Sequence, residues 1–217
     1  VTVGVASLTA LTMVSEATRQ ETIRQFKRMM GNVDTVTVRP GKAATRGMPS
    51  LTTVDPSLKF EDAAAIGAEV RDVARVAPVQ NAFEIDVKYR EKSGSPSVYG
   101  VPTGWVDMRG DELAMGSDFT DEEVGGLARV AILGDEVRRN LFGDEDPVGQ
   151  VIRIADVPFQ VKGALASRGT GPGGGSLDNL IYIPVTTASK RLFNRDYLTM
   201  LVIQLRDPLR TNEAVAQ

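Results

Sequence analysis

Residues 130–165 read VAILGDEVRRNLFGDEDPVGQVIRIADVPFQVKGAL, and the change of rhythm inside this stretch decides the fold class. Val130 to Leu133 is a short apolar run of strand length. Gly134 to Phe142 then reads as a helix, stopped by Gly143 in the position where a left-handed residue closes helices. Asp146-Pro147 opens a turn, and Gly149 lets the chain enter the next strand. Gln150 to Ile154 and Pro158 to Leu165 form a hairpin around Ala155-Asp156-Val157. Strand, helix and hairpin in immediate succession are not the even βαβα rhythm of a doubly wound sheet. They predict an α+β fold.

Working outward, Gly169 to Ser176 is a glycine-rich loop, Leu180 to Val185 a strand, Thr186 the cap of a helix through Phe193, and Leu198 to Leu205 a final strand. Upstream, Thr120 and Glu123 stand at capping-box spacing. Trp105 to Leu113 is a short helix or irregular segment, and Glu91 to Pro96 a turn before a strand at Ser97 to Val101. Val73 to Arg90 reads as a long strand region with Phe83, Ile85, Val87 and Tyr89 on one face. Phe60 to Asp72 is predicted helical, with Phe60, Ala63, Ala64, Ile66 and Val70 turned inward. Asp34 to Arg39 alternates with period two and ends on Pro40-Gly41, as a strand does, before a polar loop from Lys42 to Pro56. No internal repeat is present.

The two termini differ in character from the rest. Val1 to Val14 carries no charge, and from Ser15 the chain turns amphipathic, with Ala17, Ile23, Phe26 and Met30 on one face and Gly31-Asn32 as a stop. A spanning helix needs about 20 apolar residues, so the uncharged run is too short by itself, and it lacks the basic region of a signal peptide. The residues leave two readings open: a helix packed on the domain, or the outer end of a membrane helix running into a stalk. At the other end, Thr211-Asn212-Glu213 has the character of a helix start.

Composition removes several classes of function. The 217 residues are 42% hydrophobic and 24% charged, with a formal net charge of -3, as in ordinary globular chains. No basic stripe is visible, which argues against nucleic acid as a partner. There is no His and no Cys. That removes the usual base near neutral pH, the Ser-His-Asp and Cys-His pairs, and the common zinc ligand sets.

The remaining motifs carry little chemistry. Gly169, Gly171 and Gly174 match G-x-G-x-x-G by letter, but Pro172 interrupts the turn and a strand follows where a phosphate site needs a helix. Asp144-Glu145-Asp146 is acidic, yet Val148 and Ala155 stand where a calcium loop needs ligands, so a solvated turn is the better reading. Ser189-Lys190 is adjacent rather than at the spacing of an acylating serine and its base. Trp105, the single Trp, is expected in the core or at a subdomain junction rather than on a binding surface. No catalytic, cofactor-binding or metal-ligating residue is assigned, and no cofactor is expected.

Taken in order, Val36-Thr37-Val38-Arg39-Pro40-Gly41, Val76-Ala77-Pro78, and Tyr99-Gly100-Val101 followed by Trp105 resemble stretches of the periplasmic core domain of MacB-like (FtsX-type) ABC transporter permeases. Gly116-Ser117-Asp118-Phe119-Thr120 is similar to that family's G-R-x-F-T step, with Ser117 in place of Arg. Ala131-Ile132-Leu133-Gly134, Leu141-Phe142-Gly143 and above all Asp146-Pro147-Val148-Gly149-Gln150-Val151-Ile152-Arg153-Ile154 carry the resemblance further. Ile181-Tyr182-Ile183-Pro184, Thr187-Ala188 and Arg191-Leu192-Phe193 complete it; the residues between Leu51 and Phe60 are extra.

The resemblance implies a porter-like βαβ lobe, discontinuous over 32–92 and 178–217, with a small α/β Sabre-like lobe inserted at 93–177. Residues 1–31 would be the end of the first transmembrane helix and a stalk helix, which resolves the open reading of the N-terminus toward a membrane-derived stalk. It further implies a bacterial inner-membrane permease, with this part periplasmic. The permease would work as a dimer with a second copy, driven by an ATP-binding domain or subunit on the cytoplasmic side, often against a periplasmic adaptor and an outer-membrane channel. Transmission of ATP-driven motion for export is the leading expectation. An extracytoplasmic sensor or ligand-binding domain of a related permease is the alternative, and a carboxylate hydrolase the third.

Overall fold

A computed structural model describes residues 35–40, 57–70, 72–171 and 173–206. The expected N-terminal helix, the loop from Lys42 to Pro56 and the helix start at Thr211 lie outside these residues. Among the described residues no helix is long and apolar enough to cross a membrane.

The stretch 130–165 folds as its rhythm predicts. Strand β7 (Val130–Leu133) leads into helix α4 (Asp135–Phe142), and the chain returns through the hairpin β8 (Val151–Ile154) and β9 (Val157–Leu165). Strands β7 and β9 pair in parallel, so α4 serves as part of the crossover that parallel strands require. The β8–β9 turn is two residues long, Ala155 and Asp156, both left-handed with φ of 44° and 67°. That is the geometry of a primed hairpin turn, and it places Val157 in the strand rather than in the turn.

The remaining elements in chain order are β1 (Thr35–Val38), α1 (Phe60–Glu69), β2 (Val73–Ala82), β3 (Val87–Tyr89), β4 (Lys92–Gly94), β5 (Ser97–Val101), α2 (Trp105–Arg109), β6 (Leu113–Gly116) and α3 (Asp121–Gly125). After β9 come β10 (Leu180–Pro184), α5 (Val185–Thr187) continued by a π-helical turn at Ala188–Leu192, and β11 (Met200–Leu205). Hydrogen bonding runs in the order β1-β11-β2-β5-β10-β7-β9-β8-β3-β4, with β6 also on β9. The fold is α+β, a mixed sheet with short helices on its faces.

Strand β2 changes partner along its length. Val73 to Val79 pairs with β11, whereas Gln80 to Ala82 pairs with β5. The three strands β1, β11 and β2 carry α1, with Ala63, Leu198 and Leu201 at the centre of that contact. Beyond β5 the sheet is covered on both sides. Ile181 and Ile183 face the cluster that contains Leu141 and Phe142 of α4, and Tyr182 between them faces the cluster containing Trp105 and Met108 of α2. Alternate side chains of a strand point to opposite faces. A strand buried on both faces has no polar alternation, which is why Val130–Leu133 and Leu180–Pro184 read as unbroken apolar runs.

Five sequence expectations are corrected. The strand region from Val73 to Arg90 is broken, because Glu84 adopts a left-handed φ of 55° and turns the chain; Phe83 is 67% exposed rather than inward. The β3–β4 turn falls at Arg90-Glu91, with Arg90 at φ 51°, so Lys92 to Gly94 forms a strand where a longer turn was expected. Helix α1 ends at Glu69 and leaves Ala64 exposed, since only a narrow stripe meets the sheet. Thr186 is not a cap: it lies inside α5, and its hydroxyl donates to the Val124 carbonyl at the end of α3. The final strand begins at Met200, after Thr199 has bonded to the Val79 carbonyl through both its N–H and its hydroxyl.

Candidate functional site

Helix α2 is a single turn and a half, closed by Gly110 at φ 68°, a conformation open to glycine without strain. The turn drives Trp105, Val106 and Met108 into the core and delivers Asp111 behind them, with its N–H bonded to the Val106 carbonyl at 2.9 Å. Asp111 is buried and accepts two charge-assisted or polar bonds there. Arg168 Nη1 donates to Oδ1 at 2.8 Å, and the Tyr182 hydroxyl donates to Oδ2 at 2.8 Å. Burial, together with the Asp111 carboxylate, pushes the Tyr182 hydroxyl well above its ordinary value, so it is a proton donor at all physiological pH.

Arg168 is held by the loop that follows β9. Asp178 accepts from Ser167 Oγ at 2.6 Å and from the N–H groups of Arg168 and Gly169 at 2.8 and 2.9 Å. The glycine-rich segment folds on itself through Gly171 N–H to the Gly175 carbonyl and Leu177 N–H to the Gly169 carbonyl. Strand β10 follows directly. Gly169, Gly171 and Gly174 therefore donate to their own loop, and the segment is not a cradle at a helix N-terminus.

Above this network lies a cleft of about 220 Å³ between β1 and β11 on one side and α2, β5 and β10 on the other. Trp105 meets Tyr182 edge-on, with centroids 6.3 Å apart and planes at 90°, and Tyr99 meets Tyr182 similarly at 6.2 Å. The Arg109 guanidinium lies 5.9 Å from the Trp105 ring centre. Arg39, from the end of β1, contributes a second cation to the lining. Burial raises the Tyr99 hydroxyl, and the Arg109 and Arg39 charges pull against that rise.

The other motifs have structural partners. Asp146 Oδ1 accepts from the Val148 N–H at 2.9 Å, and Glu145 pairs with Arg90 at 3.1 Å, so the acidic cluster is a bonded turn. Among the described residues, no group of three or more acidic side chains converges where a metal could sit. Ser189 Oγ donates to the Arg195 carbonyl at 2.6 Å and is not aimed at Lys190. Trp105 is buried in a core cluster, and it also forms a wall of the cleft. Sequence reasoning missed Asp111, Arg168 and Arg109. Asp111 and Arg168 are 57 residues apart, and nothing local marks either of them as paired.

The whole chain, residues 1–217, matches the family described as the MacB-like periplasmic core domain. It is 33% identical over 217 residues to the macrolide export ATP-binding/permease protein MacB of Rhodospirillum rubrum, covering all of this chain and 32% of that protein. It is 33% identical over 218 residues to the pyoverdine export ATP-binding/permease protein PvdT of Pseudomonas syringae pv. tomato, again covering all of this chain and 32% of the relative. The chain thus spans about a third of the length of these relatives. Among solved structures, the periplasmic region of MacB from Actinobacillus actinomycetemcomitans aligns with a TM-score of 0.69 at 19% identity, over 86% of this chain and 81% of that one. The extracellular domain of the transporter YknZ from Gram-positive bacteria aligns with a TM-score of 0.67 at 19% identity, over 82% and 88%. By sequence along its full length, and by fold, this chain belongs to the family of MacB-like periplasmic core domains.

Proposed function

We propose that this chain is the extracytoplasmic part of an ABC transporter permease and transmits ATP-driven motion for export across the cell envelope. The observation that carries the proposal is the full-length family match, with relatives whose names describe export permeases that include an ATP-binding part. In this reading the permease sits in the bacterial inner membrane with this part periplasmic, and residues 1–31 are the end of the first transmembrane helix and a stalk helix. ATP hydrolysis belongs to a cytoplasmic nucleotide-binding domain or subunit, and the permease functions as a dimer, with an adaptor and outer-membrane channel as further partners.

The lobe division is part of the same proposal: a porter-like lobe over 32–92 and 178–217, and an insert over 93–177. The switch of β2 from β11 to β5 supports a mechanical joint between two layers, because one continuous strand carries displacement from one to the other. The separate apolar cluster around α1 gives the outer layer a core of its own.

The test uses the full-length permease with its ATPase in proteoliposomes. Thr37→Cys and Glu122→Cys place spin labels at exposed positions of the two lobes, on both copies, and these 217 residues add no Cys of their own. The expected result is a distance distribution that changes between the ATP-bound and nucleotide-free states. A distribution indifferent to nucleotide, or ATP hydrolysis by the 217-residue chain alone, overturns the reading.

A further inference from the structure

We propose that the cleft beside α2 is a binding site for a small aromatic carboxylate, held by Arg109 and Arg39 with its ring against the apolar wall. The cleft contains two guanidinium groups, and among the described residues neither forms an ion pair. The acidic side chains nearest in the chain are already engaged. Asp107 of α2 pairs with Arg75 at 2.8 Å, and Asp111 holds Arg168 and Tyr182 beneath the floor.

Arg109 is the stronger anchor. Its Nε is buried without a hydrogen-bond partner and the residue lines the cleft, so the guanidinium's bonding capacity is not taken up within its own fold. Its guanidinium stands over Trp105, which fixes the plane of the donor fork. A planar carboxylate fits such a fork with two parallel bonds. The Tyr99 hydroxyl, on the lining of the cleft, adds a further donor.

The rest of the lining selects the body of the ligand. Trp105, Met108, Leu180, Met200 and Val202 give the cleft an apolar wall, which a free inorganic anion leaves uncovered. The volume, about 220 Å³, is below the range of roughly 300–1,000 Å³ that houses drug-sized molecules. A single ring with one carboxylate fits; a large macrocycle does not. This inference is independent of the transport proposal, because binding to the chain requires neither nucleotide nor membrane.

The single Trp makes the test direct. The 217-residue chain is titrated with benzoate and with its neutral isostere benzamide, read by Trp105 emission and by calorimetry, at low and high salt. Benzoate is expected to bind at least about tenfold tighter than benzamide, and to weaken as salt screens the charge. Arg109→Gln is expected to lose about tenfold in benzoate affinity and Arg39→Gln several-fold, while Arg153→Gln, exposed on β8 away from the cleft, changes nothing. Melting curves accompany each variant. If Arg109→Gln does not fold, Arg39→Gln at the exposed end of β1 decides the question. Equal affinity for benzoate and benzamide, no benzoate binding up to about 10 mM, an equal loss in Arg153→Gln, or equally tight binding of inorganic phosphate each overturns the proposal.

Discussion

Arg168 donates to Asp111 across 2.8 Å in a site where the two side chains retain 7% and 1% of their exposure. Both charges are out of water, so each depends on the other, and Tyr182 completes the set by donating to the second carboxylate oxygen. A buried pair of this kind contributes little against an apolar replacement, but removing one partner leaves an uncompensated charge. The network therefore acts as a register pin: it fastens the loop after β9, the end of α2 and strand β10 to one another.

Asp111→Ala is accordingly expected to destabilise the chain by about 3–5 kcal/mol, and Tyr182→Phe by about 1–2 kcal/mol, since the latter leaves the ion pair intact. Urea denaturation of both variants and the double variant checks this. A loss in Tyr182→Phe as large as that in Asp111→Ala sinks the idea that the charge pair dominates.

Gly100 in β5 lies under the π-helical turn. A Cβ at that position runs into the Ala188 Cβ and comes within 3.3 Å of the Val185 Cα. Gly100→Ala is expected to cost about 1–3 kcal/mol through overpacking. Adding Ala188→Gly should recover part of the loss by opening the contact, even though glycine costs about 1 kcal/mol in a helix. Thermal unfolding of the single and double variants measures the coupling, and strictly additive losses would falsify the close-approach argument.

Glu123 closes the capping box of α3, accepting from the Thr120 N–H at 2.8 Å while Thr120 Oγ1 accepts from the Glu123 N–H, and it also receives Lys162. Desolvation raises its carboxyl, but the bonds from Lys162 and Thr120 outweigh that and hold it below the usual glutamate value. The stabilisation is therefore complete above the unfolded-state value and disappears as pH falls through the lowered folded-state value. Glu123→Gln should cost about 1 kcal/mol near pH 7, with the gap from the parent chain closing in acid. Stability curves against pH test it; a gap that widens in acid contradicts the assignment.

How far the sequence carries depends on the range of the interaction involved. The stretch from Val130 to Leu165 is legible because strand, stop signal and hairpin are all written in neighbouring residues, and the Thr120–Glu123 box needs only its four-residue spacing. Phe83 misleads because its face is set by the left-handed turn at Glu84, for which a glutamate gives no signal. The cleft is less legible still. Arg39, Tyr99, Arg109 and Tyr182 are brought together only by the sheet order, in which β1 and β11 come to lie near β5 and β10. Periodicity reports which face of an element is apolar, and it is silent on which cations two distant elements place side by side.

Gln80 occupies the position where β2 exchanges β11 for β5. It is 1% exposed, and its side-chain nitrogen donates to the Arg195 carbonyl at 3.1 Å and the Tyr197 carbonyl at 2.7 Å. Its oxygen has no partner, so half of the amide is a penalty and the other half is a clamp on the chain entering β11. Gln80→Met keeps a similar bulk, removes the unpaired oxygen and takes the side-chain donor from the Tyr197 carbonyl, while the Arg195 carbonyl keeps the Ser189 hydroxyl. The net loss is expected to be only about 1–2 kcal/mol. Hydrogen exchange should nonetheless accelerate locally, at Leu198 and Thr199, whose N–H groups bond to Leu58 and Val79 beside the clamp. In the permease proposed above, the same variant should broaden the distances between the two lobes while the cytoplasmic ATPase remains active. If exchange at Leu198 and Thr199 matches the parent chain, Gln80 is a packing residue and the joint at β2 is held by its strand ladder alone.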